Sequence, residues 1–256
     1  MPEKPAITPT DAHLKKLRRA EMETIQNWFK SGARVLEIGG GSGYQASLIS
    51  SHGCTVSSID IASRPTPPKS YFPVKTYDGE HIPFEDNSFD LIFSSNVLEH
   101  VKNLPTLFLE MKRVLKPGGT LIHILPSATW RFWTSLSHYL NLPIYALSRF
   151  SRSTNTGAPP PVGQLVRQYS VPYLIKQALL AGPHGEYSSA FSELYYFSRR
   201  RWLHLLDANG FDMIKTSTNE LFYTGYSVFK GLSFQTRRRM AYMLGASCHV
   251  FVMRDR

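Results

Sequence analysis

Apolar positions recur at roughly helical spacing over 11–30, at Leu14, Leu17, Met22, Ile25 and Trp28–Phe29. Thr10 or Asp11 can cap the start, so the spacing predicts an amphipathic helix. From Arg34 the period changes. Short apolar runs at 34–38, 54–60, 72–77, 89–95 and 120–125 read as five strands, the third the weakest. Between them, 44–52 reads as a helix. So does 103–115, where Leu107, Met111, Val114 and Leu115 share a side and Lys116-Pro-Gly-Gly119 stops the run. Strands alternating with helices imply parallel pairing, hence a doubly wound α/β sheet.

After Pro126 the pattern changes again. Residues 127–197 are rich in Trp, Tyr, Ser and Pro, with a Ser/Pro/Gly-containing centre at 151–163. A helical period returns at 198–209 and is ended by Gly210, and 211–216 and 249–253 read as the last two strands. The expected organisation is an N-terminal helix (1–30), a sheet domain built from 31–126 and 198–256, and an inserted cap at 127–197. Within the cap, Phe132, Trp133, Leu136, Tyr139 and Leu140 share one helical face, either packed on the sheet domain or laid against a membrane surface.

Composition narrows the class. Of 256 residues, 42% are hydrophobic and 19% charged, which excludes a disordered chain or a fibrous repeat. No run approaches the ~18 apolar residues of a membrane span. The first twenty residues lack a secretory core, so the expected location is cytoplasmic or peripheral at the cytoplasmic membrane face. Cys54 and Cys248 lie in strand-like runs and read as buried, reduced thiols; no metal site is expected. The net charge is +10, and no Asp or Glu occurs between Glu110 and Glu186, a segment holding eight Lys and Arg. Such a surface suits an anionic substrate, an anionic membrane or nucleic acid.

The most informative stretch is Val35-Leu-Glu-Ile-Gly-Gly-Gly-Ser-Gly43, a strand feeding a glycine-rich turn and then a helix, which lets a ligand approach the backbone closely. A nicotinamide fingerprint places glycines at relative positions 1, 3 and 6. Counted from Gly39, position 3 is Gly41 but position 6 is Tyr44, and the third glycine, Gly43, comes one residue early. Glu37, two residues before Gly39, suits a ligand's ammonium group better than a pyrophosphate.

The series Glu37-x-Gly39-x-Gly41-x-Gly43 resembles the signature loop of class I S-adenosylmethionine-dependent methyltransferases. The resemblance continues in order through Asp60 at the end of the second strand and Asp78-Gly-Glu-His-Ile-Pro-Phe84. Beyond these, Phe89 to Val101 resembles the fourth strand with its following loop, and Leu115-Lys-Pro-Gly-Gly-Thr-Leu121 resembles the turn before the fifth strand. The subgroup it most resembles includes the small-molecule methyltransferases of quinone biosynthesis. The resemblance implies a seven-stranded Rossmann-like sheet with an aromatic and basic cap inserted after the fifth strand, and S-adenosylmethionine as cofactor. It also implies cofactor contacts from Glu37 to the methionine amino group, directly or through water, from Gly39, Gly41 and Gly43, from Asp60 to the ribose, from Asp78 and Gly79 at the adenine, and from Ser95 and Asn96 beside the methionine moiety.

Methyl transfer from a sulfonium is an in-line displacement, so this chemistry needs alignment first and a base only when the acceptor is protonated. His184, with Glu186 two residues on, is the first candidate base and His100 the second; His123, Tyr223 and Tyr226 read as packing residues. The expected function is transfer to a small-molecule or lipid-linked, anionic acceptor of the cell-envelope glycan, glycolipid or quinone kind, with oxygen favoured. Against it stand an RNA methyltransferase, suggested by the triplets Arg199–Arg201 and Arg237–Arg239, and a non-catalytic cofactor-binding or docking module.

Overall fold

The computed structural model describes residues 11–62, 69–151, 182–225 and 231–256, and for 140–151 the helical backbone only. Tyr226, the side chain of Leu140 and most of the cap's centre lie outside the described residues.

Helix α1 (Asp11–Ile25) leads through a 3-10 turn (Gln26–Trp28), so the first helix ends five residues earlier than its period suggests. Strand β1 (Arg34–Ile38) and helix α2 (Tyr44–Ser51) flank the glycine loop. Strands β2 (Thr55–Ile61), β3 (Lys75–Tyr77) and β4 (Phe89–Ser95) follow, then helix α3 (Leu104–Val114). β3 keeps only the last three residues of its predicted run. α3 buries Leu107, Phe108, Met111 and Val114, the stripe a 3.6 period requires. Strand β5 (Leu115–Pro126) absorbs Lys116–Gly119 as an irregularity, because its register against β4 shifts between Phe89 and Leu91.

The sheet has seven strands in the order β3-β2-β1-β4-β5-β7-β6. β1 through β5 pair in parallel, while β7 (Cys248–Asp255) wedges antiparallel between β5 and β6 (Phe211–Thr218). Parallel central strands are covered on both faces. Leu36, Ile38, Ile92, Leu121 and Phe251 face one apolar cluster with α3, and Val35, Phe93, Ile122 and Val250 face the other with Met22, Ile25 and Phe29. Chain order reverses between β1 and β4, and the crevice outside their carboxyl ends is where this class of sheet takes ligands.

After β5 come helix α4 (Ala128–Ser151), helix α5 (Ala190–Tyr196) and helix α6 (Arg199–Ala208); helix α7 (Phe234–Leu244) precedes β7. α7 has no apolar stripe, burying only Arg237 and Ala241, which is why periodicity passes over it. α4 does not place its apolar face as a packing helix would: Phe132, Leu136 and Tyr139 are exposed, while Trp133 turns inward, onto Phe222. Both cysteines are free and buried, as expected.

Candidate active site

The glycine loop turns from β1 into α2 with Gly39, Gly41 and Gly43 all at positive φ. Two of these positions are forced. A Cβ on Gly39 would collide with Val97, and one on Gly43 would sit 2.6 Å from the Phe72 carbonyl oxygen. The loop hangs on β2: the Gly39 and Gly40 N–H groups donate to Ile59 O, and the Gly41 N–H donates to Asp60 Oδ2 at 2.8 Å.

Glu37 is 2% exposed and lies beneath this loop, outside the lining of the cavity. Its Oε2 accepts the Ser58 hydroxyl at 2.5 Å. Burial pushes its carboxyl up to about 7, only partly offset by the Ser58 bond and by an Ala46 N–H. Glu37 therefore braces the loop and the start of α2.

Asp60 closes β2 on the cavity wall, with Oδ1 accepting its neighbour Ile61 N–H. Asp78 turns its carboxylate toward its own loop, where Oδ1 accepts the Glu80 and His81 N–H groups and Oδ2 meets His81 Nδ1 at 2.9 Å. Those backbone bonds hold it near 2, so it is an anion throughout the physiological range. Ser95 and Asn96 end β4; Asn96 sits at φ 54 with its N–H on Ile124 O.

A cavity of about 540 Å³ joins these parts, running from Asp60, Asp78 and Gly79 past Gly39–Ser42 to Ser95, Asn96, His100 and Glu186. That size lies within the usual range for a small-molecule site. One wall was missed by sequence reasoning: Leu14, Lys15 and Arg18 of α1 close the cavity. Arg18 Nη1 bonds Glu21 at 2.6 Å and reaches Ser95 Oγ at 3.3 Å, and Lys15 pairs with the Tyr71 hydroxyl. The basic run from Lys15 to Arg19 was the available signal.

His100 and His184, remote in sequence, meet with ring centroids 4.9 Å apart, and Trp130 packs 4.7 Å from His184 on its other side. His100 lines the cavity; His184 stands behind it. The cap loop that carries His184 is clamped twice. Glu193 Oε1 accepts the His184 and Gly185 N–H groups at 2.6 Å, and Glu99 O accepts the Glu186 N–H. Glu193 itself pairs with Arg131 at 3.2 Å, both side chains almost fully buried. The donor atoms of Glu99, His100 and His184 all lie within 4.8 Å of one another, a set that could take a divalent ion as well as move a proton. His123 is fully buried, bonded to Ser94 Oγ and lowered to about 3 by desolvation, so it is a neutral core residue. Tyr223 is also structural, donating to Glu21 at 2.8 Å.

A model of the methyltransferase-domain family matches residues 11–216, well over half of the chain. A biotin biosynthesis bifunctional protein of Cellvibrio japonicus is 34% identical over 120 residues, covering 43% of this chain and 24% of that protein. An uncharacterized methyltransferase of Mycobacterium tuberculosis is 36% identical over 122 residues, covering 43% of this chain and 46% of that one. The chain thus spans less than half the length of these two relatives. The fold is shared with an S-adenosylmethionine-dependent methyltransferase from Mesorhizobium loti, with a TM-score of 0.51, 16% identity and coverage of 93% and 99% of the two chains. With its seven-stranded sheet, its glycine loop and the cavity at the strand ends, this chain belongs to the methyltransferase-domain family and has the class I fold, an enzyme class whose methyl donor is S-adenosylmethionine.

Proposed function

We propose that this chain transfers a methyl group to an oxygen of a small or lipid-linked anionic acceptor. The observation that carries the reading is the single cavity that joins the acids, the glycine loop and His100 under a cationic wall from α1. The residues fit the cofactor, since the Gly39–Ser42 backbone and Asp60 line the cavity and a Cβ on Gly41 would stand in open space. Asp60 would hold the ribose hydroxyls, Asp78 and Gly79 would border the adenine, and Ser95 and Asn96 would flank the methionine end. Glu37 acts at one remove, by bracing the loop. When bound, the cofactor supplies an activated methyl group on a sulfonium.

The protein's own work is alignment, exclusion of water and one proton transfer. Positioning alone supplies about 7–11 kcal/mol of barrier reduction in well-aligned systems. His100, at the cavity wall, takes the acceptor's proton, and His184 orients its ring from behind, which exchanges the order of the two candidates read from sequence. Lys15, Arg18 and Lys102 provide cations along the wall for an acceptor carboxylate or phosphate. The Arg199–Arg201 triplet gives RNA less support: Arg201 stacks over Tyr196, and the helix buries Trp202 and Leu206.

The test is methyl transfer from labelled cofactor into lipid, small-molecule and RNA fractions, with His100→Gln and His184→Gln beside the wild type. His100→Gln should lower kcat about 100-fold or more while S-adenosylhomocysteine affinity stays within about threefold. His184→Gln should shift the pH profile. Label only in RNA, or undiminished kcat in His100→Gln, refutes the reading.

A further inference from the structure

Helix α4 buries Trp130 and turns Trp133 inward, but between them and beyond, polar side chains face the protein while apolar ones face out. Arg131, Thr134 and Ser137 are buried at 2%, 6% and 3% exposure, whereas Phe132, Leu136 and Tyr139 stand at 52%, 39% and 42%. A helix on a water-facing surface has the opposite arrangement. The inward polar groups are accounted for. Arg131 pairs with Glu193, Thr134 Oγ1 accepts the Gly225 N–H at 2.9 Å, and the Ser137 hydroxyl donates to Trp133 O at 2.6 Å.

Helix α7 meets α4 through Trp133. Trp133 Nε1 donates to Leu244 O, bringing in Tyr242 and Met243 at 94% and 71% exposure. Exposed arginines flank the apolar side chains: Arg238 and Arg239 on α7, and Arg199 and Arg200 at the start of α6, where Phe197 O accepts the Ala128 N–H of α4. Glu23, 3.5 Å from Arg238, is the acid facing this group. The stretch from Lys112 to Gly185, which includes all of α4, contains no acidic residue. α4 leaves the carboxyl end of β5 and α7 returns into β7 opposite it, with Pro126 paired to Cys248, so the stripe occupies the end of the sheet where the cavity opens.

We propose that this aromatic face and its arginines dock the protein on the surface of an anionic lipid bilayer, turning the cavity mouth toward the headgroups. The inference rests on the reading of a lipid-linked acceptor and gives that acceptor a route to the site. Aromatic side chains among arginines are the composition that settles at a headgroup boundary, and basic residues there are drawn to anionic lipid. No helix among the described residues is long and apolar enough to cross a membrane, so attachment is interfacial. A second copy of the chain fits the face less well. A twofold contact centred on the stripe would bring Arg238 and Arg239 toward their own counterparts.

The experiment is sedimentation of the full chain with vesicles of phosphatidylcholine alone and of phosphatidylcholine with phosphatidylglycerol, with the triple variant Phe132→Ser, Leu136→Ser, Tyr139→Ser alongside. These side chains are exposed, so S-adenosylhomocysteine binding serves as the control for folding. The expected result is sedimentation with the anionic vesicles only, weakened by salt and reduced about tenfold or more in the triple variant, with S-adenosylhomocysteine affinity unchanged. Wild-type protein that stays in solution with anionic vesicles overturns the proposal, as does a triple variant that sediments equally. A wild-type dimer that the triple variant converts to monomer, without vesicle binding, assigns the face to self-association instead. Vesicle binding without S-adenosylhomocysteine binding removes the functional reading and leaves the docking surface standing.

Discussion

Glu37 gives the sharpest link between the fold and a measurable energy. Its carboxyl is buried below the glycine loop and raised from 4.5 to about 7, chiefly by desolvation. The folded state therefore holds this proton more tightly than the unfolded chain does. Stability from this group is present below the unfolded value and falls as pH rises from 4.5 toward 7. A shift of that size corresponds to about 3 kcal/mol when fully developed. Between about pH 5 and about pH 8 the part that develops is roughly 2–3 kcal/mol. Glu37→Gln keeps the shape and an oxygen for the Ala46 N–H but cannot ionise. Urea unfolding of both proteins at the two pH values isolates the effect, because every other titration cancels in the comparison. The variant should gain about 2–3 kcal/mol on the wild type between the lower and higher pH. An unchanged difference between the two proteins would refute the claim that the loop rests on a desolvated carboxyl.

Two further outcomes follow from the same geometry. Gly43→Ala places a Cβ against the Phe72 backbone at φ 75, so it should cost at least about 1–2 kcal/mol, read as a lowered Tm together with weaker S-adenosylhomocysteine binding. Arg131→Met leaves Glu193 buried without its cation and should cost about 3–5 kcal/mol in urea unfolding, while Arg131→Met with Glu193→Gln should recover part of that loss.

The sheet domain was legible because its signals are local. Strand-length apolar runs, a glycine loop between β1 and α2, and the stripe of α3 each declare themselves within about a dozen residues. The site was legible only as far as the backbone decides it. Asp60, Gly79, Ser95 and Asn96 fall on the cavity because they end strands or turns at the crevice. Glu37 does not, since its side chain leaves β1 on the side of Ser58 rather than toward the opening. The wall made by Lys15 and Arg18, and the meeting of His100 with His184, depend on how distant segments pack, which no local period records. The period of α4 left its apolar face unassigned for a physical reason. Amphipathicity identifies an apolar face, but not whether protein or something else covers it, and here Arg131, Thr134 and Ser137 find partners inside.

The central claim is that the cavity between β1 and β4 binds S-adenosylmethionine through Asp60 and the glycine loop. Calorimetric titration of the wild type and Asp60→Ala with S-adenosylhomocysteine, with NAD as control, tests it most directly. The account predicts binding to the wild type, none of NAD, and a loss of about 1.5–3 kcal/mol in the variant, the scale of a hydrogen bond to a charged group. Folded wild-type protein that takes up no S-adenosylhomocysteine, or an Asp60→Ala variant that binds it as tightly, would contradict the account.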